Sequence, residues 1–181
     1  PVLFFLLSQL ISSTVLAENG TRRLISDGAY TQPQRLVEIE HGRRLNIYCV
    51  GSGSPTVVFD SGLTDPMNVW GFVLPATASR TQACTYDRAG IGFSDAARRP
   101  ATSENFVDDL HRMLAAADVR PPYILVGHSF GGLNVRLFAY NHPSDVAGLV
   151  LVDPMSEDQM EGYRELDPKK RTRAQWIADT I

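Results

Sequence analysis

The stretch PYILVGHSFGGLNVRLFAY, residues 122–140, decides the fold. Tyr123-Ile124-Leu125-Val126 is a continuous apolar run, as expected of a strand buried on both faces. The residues after Ser129 follow a helical pattern that halts at His142, before Pro143. Between the two lies Gly127-His128-Ser129-Phe130-Gly131, a Gly-x-Ser-x-Gly pattern at a strand-to-helix junction. So sharp a turn strains the serine backbone and brings neighbouring main chain close, which suits residues without a Cβ at 127 and 131. It also holds the Ser129 Oγ at a helix N-terminus, where free N–H groups and partial positive charge face a developing anion. Ser129 is the candidate nucleophile, and the Phe130 N–H a candidate oxyanion donor. Gly132 adds a second small residue where the helix packs on the sheet.

Working outward, RLVEIE (35–40) and RRLNIYCV (43–50) alternate apolar and polar residues around a His41-Gly42 turn, which predicts a β-hairpin. TVVFD (56–60) and ACTY (83–86) read as short buried strands, with a short helix in the connection between them. The loop DSGLTDP (60–66) follows the first of these. Gly62 lets its backbone approach the serine, and the Leu63 N–H is the candidate second oxyanion donor. A helix capped by Thr102 or Ser103 is predicted next, with Phe106, Leu110, Met113, Leu114 and Ala117 on one face. VAGLVLV (146–152) is the last buried strand and ends at Asp153-Pro154. Apolar strands alternating with helices imply a mostly parallel sheet covered on both faces.

The 181 residues suffice for one domain with a real core. At 44% hydrophobic and 20% charged, with a net charge of −3, the chain has no basic stripe, and nucleic acid is not an expected partner. Lys169-Lys170-Arg171 and Arg173 sit among Glu165, Asp167 and Asp179, as on a solvated helix face. Residues 1–17 carry no charge, and Val15-Leu16-Ala17 supplies a small-residue cleavage pattern. They read as a secretory signal peptide whose own start is missing, followed by an N-terminal arm over 18–34. The expected location is therefore secreted or periplasmic, with an uncleaved anchor as the alternative; no stable membrane span is expected after cleavage.

In order, RRLNIYCVGSG, TVVFDSG, CTYDRAGIGFSD, YILVGHSFGG and VAGLVLVDP make the chain resemble the N-terminal two-thirds of an α/β-hydrolase-fold serine hydrolase. The resemblance covers residues 35–154. It implies an α/β fold with strand order 1-2-4-3-5-6 and an antiparallel second strand. It also implies Ser129 as nucleophile, with the Phe130 and Leu63 amides as oxyanion hole. Where many relatives have His-Gly, this chain has Ser61-Gly62, so a backbone donor survives but a histidine side chain does not. Asp87 and Arg88 are expected to form a structural polar pair. The resemblance places the strands of Cys49 and Cys84 side by side, and export supplies an oxidant, so a disulfide is expected, with two buried thiols as the alternative.

Serine needs a base, and the family's chain order of serine, acid, histidine puts that base after Ser129. None of His41, His111, His128 or His142 is placed for the role, so the base is expected beyond residue 181. Asp153, at the end of the sixth strand, is a candidate acid; otherwise the acid also lies further on. Residues 155–181 read as the opening of a cap over the site. No metal or cofactor is expected. A serine nucleophile argues against the chemistries of this fold that use a carboxylate there, leaving acyl transfer from a small ester-like substrate to water. The alternative is a non-catalytic binding protein on the same scaffold.

Overall fold

Six strands pair into a single sheet in the computed structural model, which describes residues 28–159. They are β1 (Arg35–Glu40), β2 (Arg43–Val50), β3 (Thr56–Asp60), β4 (Ala83–Tyr86), β5 (Tyr123–Ser129) and β6 (Val146–Pro154). The spatial order is β1-β2-β4-β3-β5-β6. β2 runs antiparallel to both β1 and β4, and the other pairings are parallel. The signal-peptide residues, most of the N-terminal arm and all but the start of the expected cap lie outside the described residues.

Alternation along the central strands sorts side chains to two faces. Val58, Cys84 and Leu125 face one layer, which is built from α2 (Ser103–Ala116) and α3 (Phe130–Asn141). That layer contributes Phe106, Leu110, Met113, Leu114, Phe130, Val135 and Phe138. Val57, Phe59, Ala83 and Val126 face the other way, against Trp70 and Leu74. Those two residues come from a 3₁₀ turn at Met67–Trp70 and the short α1 (Leu74–Ala78). Thr102 caps α2, its hydroxyl accepting from the Asn105 N–H at 3.3 Å. A buried ion pair ties α2 to the hairpin: Arg43 donates from both terminal nitrogens to the Asp109 carboxylate at 2.7 Å.

Cys49 and Cys84 sit directly opposite on β2 and β4, and the structure joins them in a disulfide with a Cα–Cα distance of 4.1 Å. Beyond β5, β6 is the last strand among the described residues, and Leu149 through Val152 are exposed along it. Among the described residues, no helix is long and apolar enough to cross a membrane.

Candidate active site

β5 ends on Ser129 and α3 begins on Phe130, with no residue between. Ser129 pays for this junction with φ 52° and ψ −118°, in the left-handed half of the map where non-glycine residues are strained. Two glycines make the turn possible. A Cβ on Gly127 would lie 2.5 Å from the Gly131 carbonyl oxygen. One on Gly131 would lie 2.6 Å from the Ser61 carbonyl oxygen and closer still to that of Asp60. α3 therefore starts in contact with the end of β3. Gly132 packs on the end of β6, where a Cβ would stand 2.5 Å from that of Pro154. Phe130 sends its ring into the core, fully buried, while its N–H lies in the unpaired first turn of the helix.

The loop after β3 comes alongside. Ser61 and Gly62 are buried, and among the described residues the Leu63 N–H donates to nothing. The Ser61 hydroxyl turns inward and accepts from the Trp70 Nε1–H at 3.0 Å. Behind the loop stands Arg88, 3% exposed. It donates to the carbonyl oxygens of Ser61 (2.7 Å) and Leu63 (2.8 Å), to that of Gly62, and to the Asp60 carboxylate. Asp60 also accepts from the Asn134 amide at 3.1 Å. Burial pushes the Asp60 carboxyl up, against the pull of Arg88 and Asn134. The same burial and the nearby Asp60 charge push the Tyr86 phenol well up.

This corrects the expectation that Asp87 and Arg88 pair with each other. Asp87 instead accepts from the Asn46 side chain (2.9 Å) and from the Met67 (2.8 Å) and Phe93 (3.1 Å) amides. Adjacent residues leaving a strand point to opposite sides, so Arg88 reaches the start of the loop after β3 while Asp87 reaches β2 and the Met67 and Phe93 amides.

The four histidines fall in three places. His41 is in the β1–β2 turn with φ 37°. His128, beside the serine, points its Nδ1 toward the Asp65 carboxylate 4.0 Å away, at the rim of the loop after β3. His111 and His142 stack at the far end of α3, rings 4.0 Å apart and 7° from parallel. Burial, then the neighbouring His111, push the His142 imidazole below its usual value. With Asp145 this pair is the one group among the described residues with a metal-ligand set, its donor atoms within 4.8 Å of one another. Parallel rings do not converge their lone pairs, and the group is a helix length from Ser129.

Asp153 is exposed and carries φ 43°. β5 and β6 pair His128 with Val152 and Ser129 with Pro154, so Asp153 is the extra residue of a bulge beside the serine. Sequence reasoning missed Arg88 as the support of the loop. Its four acceptors lie 25–28 residues upstream and carry no signal of their own.

A family model described as alpha/beta hydrolase fold matches residues 55–178. The chain belongs to this family. The uncharacterised protein YqjL of Bacillus subtilis is 38% identical over 108 residues, 60% of this hydrolase-fold chain and 43% of YqjL. The chain spans less than half the length of the curated relatives it matches. Among solved structures, mouse alpha/beta hydrolase domain-containing protein 10 superposes with a TM-score of 0.62 at 21% identity, over 77% of this chain and 58% of that one. Est816, described as an N-acyl homoserine lactone degrading enzyme, superposes with a TM-score of 0.61 at 21% identity, over 80% and 62%. These structural likenesses concern the fold.

Proposed function

We propose that this chain carries the nucleophile and oxyanion hole of a serine hydrolase that transfers the acyl group of a small ester-like substrate to water. The observation that carries the proposal is the backbone of Ser129: a strained serine between a buried strand and a helix, flanked by glycines that admit no Cβ. Strain of this kind, on the order of 1–3 kcal/mol, persists where the surroundings over-determine it.

In the proposed reaction the Ser129 Oγ attacks the substrate carbonyl carbon, and its proton passes to a histidine base. The carbonyl oxygen becomes an oxyanion and accepts from the Phe130 and Leu63 N–H groups, each contributing on the order of 3 kcal/mol to transition-state stabilisation. Collapse expels the alcohol, which takes the proton from the histidine. Water, deprotonated by the same histidine, then releases the acyl group as a carboxylic acid. Asp153 is a candidate to orient that histidine, because it stands on the strand end beside Ser129. The lactone named for Est816 is one ester-like substrate that this chemistry accommodates.

Export is part of the proposal. It is supported by the uncharged segment 1–17 and by the disulfide between the chain's only two cysteines, a bond that persists in oxidising compartments. The test is covalent labelling of the full-length protein with a fluorophosphonate, followed by peptide mapping. Label on Ser129, with label and esterase turnover both lost in Ser129→Ala, is expected. Undiminished turnover of a short activated ester by Ser129→Ala would overturn the proposal.

A further inference from the structure

We propose that Arg88 is the positioning residue of the oxyanion hole, the group that fixes both the direction and the spacing of its two donors. The inference rests on the assignment of the Phe130 and Leu63 amides made above.

Direction follows from peptide planarity. In a trans peptide the C=O and the N–H point opposite ways. Arg88 binds the carbonyl oxygens of Ser61, Gly62 and Leu63. The Gly62 oxygen shares its peptide plane with the Leu63 N–H. Holding that oxygen against the guanidinium turns the Leu63 N–H away from Arg88 and out of the loop. The bonds to the Ser61 and Leu63 oxygens fix the planes on either side, and a flip of the central peptide forfeits the charge-assisted bond to the Gly62 oxygen.

Spacing follows from the other face of the same guanidinium. Its carbon lies 5.6 Å from the centre of the Phe130 ring and 5.8 Å from that of Phe106. Phe130 is the residue that offers the other donor. One side chain thus touches the loop bearing Leu63 and the residue bearing the second N–H. Asp60, at the end of β3, accepts from it, and Asn134, on α3, donates in turn to Asp60. Only a planar fork with several donors can serve three carbonyls and a carboxylate at once; a lysine ammonium cannot. A buried ion pair adds little net stability compared with apolar packing of the same volume. What this one adds is a defined geometry for an otherwise short, turn-like loop.

The experiment compares hydrolysis of an ester and its thionoester by the full-length protein and its Arg88→Lys and Arg88→Met variants. An oxyanion hole built for oxygen stabilises a charge on the larger, weakly accepting sulfur poorly. The oxo-to-thiono rate ratio therefore reports the hole, and because both rates come from one sample it is independent of the folded fraction. The expected result is a kcat on the ester about 100-fold lower, KM within about 3-fold, and a ratio about 10-fold smaller in Arg88→Lys. A ratio equal to wild type in both variants would overturn the positioning role, however much total activity falls. Absence of fluorophosphonate label on Ser129 in the wild type would instead overturn the hydrolase proposal, and this inference with it.

Discussion

Gly131→Ala sets two effects of known size against each other. Alanine is the better helix former, by about 1 kcal/mol in a helix interior. Gly131 is the second residue of α3, so on propensity alone the substitution is neutral or stabilising. Packing says otherwise. The new Cβ would stand 2.6 Å from the Ser61 carbonyl oxygen and closer to that of Asp60, against an ordinary contact of 3.4–4 Å. Both neighbours are backbone, in a strand end held by pairing with β5 and a loop held by Arg88, so neither can swing aside as a side chain would. Relief requires α3 and the loop to part by about 1 Å. Overpacking of this kind costs about 1–3 kcal/mol, which set against the propensity gain leaves a net loss of up to about 2 kcal/mol.

The same displacement separates the two proposed oxyanion donors. An error of about 1 Å in a reacting group costs on the order of 100-fold in rate. Urea unfolding and ester turnover of the full-length protein, measured on Gly131→Ala and on Gly148→Ala, test both numbers. Gly148 in β6 has open space where a Cβ would go, so its substitution is expected to be neutral or slightly stabilising and to leave turnover unchanged. Wild-type stability and turnover in Gly131→Ala would show that the backbone yields freely there, and that the close approach of helix and loop does not set the site.

Other perturbations have defined outcomes. Reducing the Cys49–Cys84 bond, which closes a separation of 35 residues, is expected to lower stability by about 4 kcal/mol in the chain-entropy model, read as a shift in urea midpoint with and without reductant. Asp109→Ala leaves Arg43, 1% exposed, without its bidentate partner and is expected to cost about 3–5 kcal/mol, whereas exposed Glu157→Ala, which loses only its surface pair with Arg136, is expected to be near neutral in the same assay. Burial, and then the neighbouring His111, hold the His142 imidazole below its usual value, so the unfolded chain takes up the proton first as pH falls. Its contribution is full above that value and is lost as pH drops through the folded one, so His142→Gln is expected to flatten the fall of Tm as pH drops below the usual imidazole range, read by thermal unfolding across a pH series.

The sequence by itself determined the parts of this protein that depend on local pattern. The alternating hairpin, the apolar runs at 56–60, 83–86 and 123–126, and the capped helix beginning after Thr102 all stand where the sequence places them. Each is stated by residues adjacent in the chain: a period of two, a continuous apolar run, a hydroxyl before an amphipathic face. The elbow at Ser129 was legible for the same reason, since strand, glycines, serine and helix are consecutive. Strand order came from resemblance rather than periodicity, because alternation says which face a residue takes and nothing about its neighbour across the sheet.

Only the tertiary structure decided the partners. Arg88 reads in sequence as the neighbour of Asp87, yet its charge is met by Asp60 and three carbonyls some 25–28 residues earlier. Side-chain direction at a strand end is set by the pleat and the turn that follows, and neither is written in residue type. The same holds for Asp153, which a bulge between β5 and β6 lifts out of register beside the serine, and for His128, whose facing carboxylate, Asp65, comes from another loop. The proposed nucleophile is a local feature and can be read in a line of sequence. The loop beside it is held by long-range contacts between peptide planes and one guanidinium, and these exist only once the sheet has brought β3, β4 and β5 together.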